Sequence, residues 1–220
     1  MSHLDTEIYL LKEELIEMQR LVRSQLTKCK NSLMNFDSDL AKEVLANERR
    51  VNALELKIDR DCENILALQN PVAIDLRFVL AALKINSNME RIGDNAEGIA
   101  RYVLDVKTPF DPEMLKEYEV EKMYQVAVSM MDDALDALIK EDTSLARKVF
   151  LKDDILDSIN VKATQLTLRN ISEARPETLQ YLNTMSIIRK LERVGDQTKN
   201  VAEEIIFYIE AKVLKHNLKK

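Results

Sequence analysis

Two short segments of this 220-residue chain set carboxylates where they can act as a pair. Glu90 and Asp94 stand four residues apart, and so do Glu192 and Asp196. On a helix this spacing puts both side chains on one face, with Cβ atoms about 5–6 Å apart. Like charges so placed weaken an isolated helix by about 0.2–0.5 kcal/mol. The glycine just before each aspartate (Gly93, Gly195) weakens it by about 1 kcal/mol more relative to alanine. A chain that accepts both penalties at two equivalent places has a compensating reason, and a bound cation is the simplest. The glycine also clears a side chain, so that a neighbouring helix or a ligand can reach the backbone.

Further oxygen donors follow the same periodicity. Glu48, Asn52, Glu55 and Asp59 form one polar stripe, and Asp153, Asp157 and Asn160 form another. If each stripe packs beside its acidic pair, four or more carboxylate and amide oxygens share one patch in each half. Oxygen-only donors select hard cations such as Mg²⁺, Ca²⁺, Mn²⁺ or Fe³⁺. The two histidines, His3 and His216, lie near the ends of the sequence, away from both stripes. That argues against the Glu-x-x-His pairs of a ferritin-like di-iron site and against an ordinary catalytic zinc site. A plainer reading fits each copy taken singly: a solvated acidic face, neutralised by the adjacent Arg91 or Arg193. The repetition in one register favours metal binding over that reading.

The elements that must carry these residues are helices. Apolar residues recur at steps of three and four almost throughout. Ile8, Leu11, Leu15, Met18, Val22, Cys29, Leu33 and Phe36 mark a first helix, with one turn skipped at Gln25. Asp37 or Ser38 can cap a second, striped by Val44, Val51, Leu54, Ile58, Ile65 and Leu68. Asn70-Pro71 offers a cap and a first-turn proline for a third, running to about Asp105. Pro109 and Pro112 break the pattern, and Asp111 can cap the next helix. The plan then repeats: a fourth helix from Val120, a fifth around Leu145–Leu166, and a sixth opened by Arg175-Pro176-Glu177 and running to about Leu214.

The two halves also match residue by residue. Met89-Glu90-Arg91-Ile92-Gly93-Asp94 corresponds to Leu191-Glu192-Arg193-Val194-Gly195-Asp196, each residue 102 positions after its counterpart. This internal duplication predicts an all-α fold of two tandem three-helix bundles with six long helices, over residues 1–108 and 109–220.

Composition narrows the function classes. With 46% hydrophobic residues but only 3 glycines and 4 prolines, the chain can bury a real helical core. A net charge of −6 opposes bulk nucleic-acid binding, which needs cations against phosphate. The basic tail at Lys212, Lys215, Lys219 and Lys220 reads as a solvated helix end. Early charges at Glu7, Lys12, Glu13 and Glu14 break any signal sequence, and no run approaches the ~18 apolar residues of a membrane span. Cys29 and Cys62 fall on apolar stripes and read as buried, reduced thiols. No phosphate loop, dinucleotide fingerprint or nucleophile–base pair is present in the sequence.

The two Glu-Arg-Ile/Val-Gly-Asp segments resemble the repeated Glu/Asp-x-x-x-Asp signature of the PhoU family. Val51-Asn52-Ala53-Leu54-Glu55 with Ile58-Asp59, then Pro71 and Asp75-Leu76-Arg77, is also similar to the first PhoU repeat. The resemblance spans essentially the whole chain. It implies a non-enzymatic, cytoplasmic negative regulator of phosphate uptake and phosphate-starvation signalling. Its implied partners are the ATPase of the phosphate ABC importer and a phosphate-sensing histidine kinase, reached at the inner face of the membrane, and dimers are common in the family. It further implies a multinuclear metal cluster, iron or zinc, on the acidic motifs. Glu90, Asp94, Glu192 and Asp196 match the signature, and Glu48, Asp153 and Asp157 match the acidic positions of the preceding helices. Asn52 stands where the second half has Asp157, so the first site is expected to be the weaker. Two other readings fit the residues: a carboxylate-bridged metalloenzyme of phosphatase or oxidase type, and a purely structural helical interaction module.

Overall fold

The computed structural model describes residues 2–173 and 177–214. Its element order is α1 (His3–Asn35), α2 (Ser38–Leu68), α3 (Ala73–Asp105), α4 (Pro112–Glu117), α5 (Val120–Lys140), α6 (Thr143–Ser172) and α7 (Thr178–Glu210). Helices α1, α2 and α3 pack as one bundle and α5, α6 and α7 as a second. The six long helices are those the apolar stripes predict. Ile85, Met89, Ile92, Ala96, Ile99 and Val103 of α3 are all buried, as are their α7 counterparts Ile187, Leu191, Val194, Thr198, Val201 and Ile205.

Local chemistry sets the helix ends. The Asp37 carboxylate accepts from the backbone N–H groups of Asp39 and Leu40 and starts α2. The Asp142 carboxylate accepts from Ser144 N–H and starts α6. Both oxygens satisfy donors that a first helical turn leaves without partners.

Three details depart from the sequence reading. Asp111 caps not the long fourth helix but the short α4, with Pro112 in its first turn. The chain then turns at Glu119, whose φ of 53° is left-handed, before α5 begins. Burial explains the extra turn of helix: Met114, Leu115 and Tyr118 are all buried, and the Tyr118 hydroxyl lies 2.9 Å from Thr167 Oγ1. Second, Asn70-Pro71 neither caps nor opens α3. Asn70 (φ 47°) and Ala73 (φ 49°) are both left-handed, so the reversal occupies the whole segment and α3 starts at Ala73. Leu68, at the end of the α2 stripe, is accordingly exposed. Third, α7 stops at Glu210, where Ala211 turns left-handed at φ 54°, rather than continuing to Leu214. The Arg175-Pro176 opening and His216 lie outside the described residues.

The bundles pack against each other along α3 with α7 and α1 with α5, and they share one hydrophobic core. Polar contacts fix the register between them. Gln19 Nε2 donates to the Met131 carbonyl at 2.8 Å, and Arg77 Nε donates to the Tyr208 carbonyl at 3.1 Å. Cys29 Sγ lies 3.3 Å from the Tyr124 hydroxyl, inside the core. Among the described residues, no helix is long and apolar enough to cross a membrane.

Candidate acidic metal centre

In the first half, α2 and α3 lie side by side and meet at Gly93. A Cβ on Gly93 would sit 3.2 Å from Glu48 Oε2 and 3.2 Å from Val51 Cγ1. The glycine therefore lets the α2 carboxylate lie against the α3 backbone. Glu48 is only 6% exposed. One oxygen, Oε2, lies 3.4 Å from Gln25 Nε2 on α1, and the other, Oε1, has no hydrogen-bond partner among the described residues. Burial, followed by the charges of Asp94, Glu97, Glu90 and Glu55, pushes the Glu48 carboxyl up to about 7. Glu90 is raised by burial and then by Asp94 and Glu55, and Glu55 by burial and then by Asp59 and Asp94. These carboxylates thus occupy one electrostatic neighbourhood. Asn86 fixes the helix pair just below: its Nδ2 donates to Asp59 Oδ1 at 2.9 Å and to the Glu55 carbonyl at 2.9 Å.

The second half repeats the arrangement with α6 and α7. A Cβ on Gly195 would run into Leu156 Cδ1 and lie 3.4 Å from Asp153 Oδ1. Asp153, also 6% exposed, occupies the place of Glu48. Its carboxyl is raised chiefly by burial, against the pull of Lys199. Glu192 is raised by burial and then by Asp196, Asp157 and Asp153. All four acids singled out in this half therefore share one patch. Asn52 and Asp157, at equivalent positions, are both exposed.

The halves differ in the cations that meet their carboxylates. Lys199 Nζ donates to Asp153 and, at 3.0 Å, to Asp196 Oδ1. The residue 102 positions earlier is Glu97, which pairs at 2.6 Å with the exposed Arg101. Arg91 and Arg193 are exposed beside a groove between α3 and α7, and among the described residues neither forms an ion pair with the adjacent glutamate.

The donors are carboxylate and amide oxygens, the set that suits hard cations. The unpartnered, buried Glu48 Oε1 is an acceptor without a donor, which a cation would satisfy. Among the described residues, no three His, Cys, Asp or Glu side chains close on a single point. The arrangement is an open acidic surface rather than a closed cage.

The PhoU domain family model matches twice, over residues 15–103 and 120–205. The chain belongs to the PhoU family. Among PhoU proteins, a Thermotoga maritima relative described as "Phosphate-specific transport system accessory protein PhoU homolog 1" is 31% identical, over 99% of this chain and 93% of its own length. The crystal structure of PhoU from Pseudomonas aeruginosa superposes with a TM-score of 0.85 at 30% identity, covering 94% of this chain and 99% of that one. The phosphate transport system regulatory protein PhoU from Streptococcus pneumoniae superposes at 0.86 with 25% identity, covering 96% and 99% of the two chains. The first PhoU match contains Glu48, Glu90 and Asp94, and the second contains Asp153, Asp157, Glu192 and Asp196.

Asn86, Glu97, Lys199 and Gln25 join these PhoU clusters only in the structure. Glu97 and Lys199 are readable in the sequence as a charge reversal at the 102-residue offset. Gln25 is readable as a polar interruption of a buried stripe: it is 1% exposed and faces Glu48.

Proposed function

We propose that this chain is a non-enzymatic accessory protein of phosphate uptake that restrains uptake and phosphate-starvation signalling from the cytoplasmic side of the membrane. The observation that carries the reading is the pair of acidic clusters built at Gly93 and Gly195, within the two PhoU matches. The relatives support it by name, as accessory or regulatory proteins of phosphate transport. The partners proposed are the importer ATPase and the phosphate-sensing kinase, together with a second copy of the chain. Long rigid helices offer such partners broad surfaces rather than a deep pocket.

The clusters are proposed to hold hard cations, as a multinuclear cluster of iron or zinc by family resemblance or with manganese, magnesium or calcium. Glu48, Glu90 and Asp94 would ligate in the first half, and Asp153, Asp157, Glu192 and Asp196 in the second. A bound cation would neutralise carboxylates that now raise one another's proton affinity. The chain's own part is to hold them together: Gly93 admits Glu48, Gly195 admits Asp153, and Asn86 locks α2 to α3.

Deleting the gene tests the regulatory reading. Phosphate uptake and alkaline phosphatase expression in phosphate-rich medium should rise and return to normal on complementation. Uptake and expression unchanged by deletion would remove it.

A further inference from the structure

We propose that the two acidic clusters are unequal, with Lys199 acting as the built-in cation of the second, so that an added metal ion is taken first by the cluster at Glu48. The inference rests on the metal reading above and adds an order of occupancy to it. It also reverses the expectation drawn from Asn52.

Asp153 and Asp196 are the counterparts of Glu48 and Asp94. In the second half one ammonium bonds both members of that pair. It comes from the next turn of α7, so it is delivered without any rearrangement of the helices. A metal entering between Asp153 and Asp196 must displace a cation that is covalently tethered, and therefore present at high effective concentration.

Among the described residues, no ammonium bonds Glu48 or Asp94 in the first half. Glu97 replaces the lysine, and the guanidinium that meets Glu97 belongs to the exposed Arg101, one turn along the same helix. Among the described residues, the Glu48 carboxylate has one donor, the amide of Gln25, neutral and at the long distance of 3.4 Å. Its second oxygen is buried and unpartnered, against the backbone of the helix that carries Glu90, Asp94 and Glu97. Such a carboxylate needs a cation or a proton. The carboxylate missing at Asn52 is balanced one turn along: Glu55 of α2 is matched by Asn160 of α6, 105 positions on, so each middle helix carries one amide in its stripe.

Mn²⁺ alone serves as the probe, with full-length protein stripped of metal by chelator and then of chelator. Free Mn²⁺ is followed by its paramagnetic resonance signal, and the melting midpoint is recorded with and without Mn²⁺. The tight class of sites in the natural chain should vanish in the Glu48→Gln, Asp94→Asn double variant and survive in Asp153→Asn, Asp196→Asn. Lys199→Glu should strengthen binding in the second half about tenfold or more, and Glu97→Lys should weaken the first half by a similar factor. Lys199→Gln, which keeps a hydrogen-bond donor, should strengthen the second half in the same direction and guards against misfolding of the glutamate variant. Equal loss of tight binding from either double variant, with the Lys199 and Glu97 variants unchanged, overturns the inequality and leaves the metal reading standing. No Mn²⁺ bound by any variant overturns both.

Discussion

The three glycines of the chain all lie on α3 and α7, and their surroundings predict different responses to one added methyl group. Alanine in a helix interior is favoured over glycine by about 1 kcal/mol, so each substitution starts with a gain. At Gly195 the new Cβ collides with Leu156 Cδ1. Leu156 is fully buried, so relief requires an off-rotamer leucine or separation of α6 from α7. Overpacking of this kind costs about 1–3 kcal/mol, which leaves Gly195→Ala with a net loss of up to about 2 kcal/mol. At Gly98 the new Cβ meets the end of Lys190, with Cε 2.8 Å away. That half-buried, flexible side chain can swing toward solvent, so Gly98→Ala should keep most of the ~1 kcal/mol gain. Gly93→Ala falls between them, since its neighbours Glu48 Oε2 and Val51 Cγ1 are each 3.2 Å away and need to yield only slightly. The expected order of stability is therefore Gly98→Ala, Gly93→Ala, Gly195→Ala. Urea denaturation of the metal-free protein measures it, with circular dichroism as the signal and the m-value checked for constancy. If Gly195→Ala proved as stable as Gly98→Ala, the close contact of α6 with α7 at the second acidic cluster would be wrong.

Single contacts give three more expectations. Asn86→Ala removes a buried amide that bonds Asp59 and the Glu55 carbonyl, and should destabilise by about 1–3 kcal/mol in the same urea assay. Asp37→Ala strips the α2 cap and should lower stability by about 1 kcal/mol, whereas Asp37→Asn should stay close to the parent. Burial pushes the Cys29 and Cys62 thiols up to about 12, so a disulfide reagent at neutral pH should leave both unmodified in native protein and label both in urea. Fast native-state labelling of either would contradict its placement in the core.

The long helices are legible in the sequence because a period of three to four apolar residues needs no knowledge of tertiary structure. The duplication is legible for a similar reason, since Glu90-Arg91-Ile92-Gly93-Asp94 and its copy keep their register. Helix α4 is not, because what stabilises its six residues is the burial of Met114, Leu115 and Tyr118 against the second bundle. The Asn70-Pro71 segment misleads because capping rules are local, while its left-handed residues at 70 and 73 answer to the path the chain takes between α2 and α3. At the acidic clusters the sequence points to the carboxylates but not to what neutralises them. Lys199 reaches Asp153 across two helices, from 46 residues away. The charge reversal at Glu97 and Lys199 is legible at the 102-residue offset, but the bond to Asp153 forms only where α6 and α7 lie side by side.

The central claim is that the paired acidic surfaces hold metal. Elemental analysis of the protein purified without chelator, beside a Glu48→Gln, Asp94→Asn, Asp153→Asn, Asp196→Asn variant prepared identically, tests it most directly. Retained metal in the natural chain and its marked loss in the variant is the predicted result. Equal metal in both, or none retained by the natural chain even after incubation with Mn²⁺ or Fe³⁺ and desalting, would contradict it.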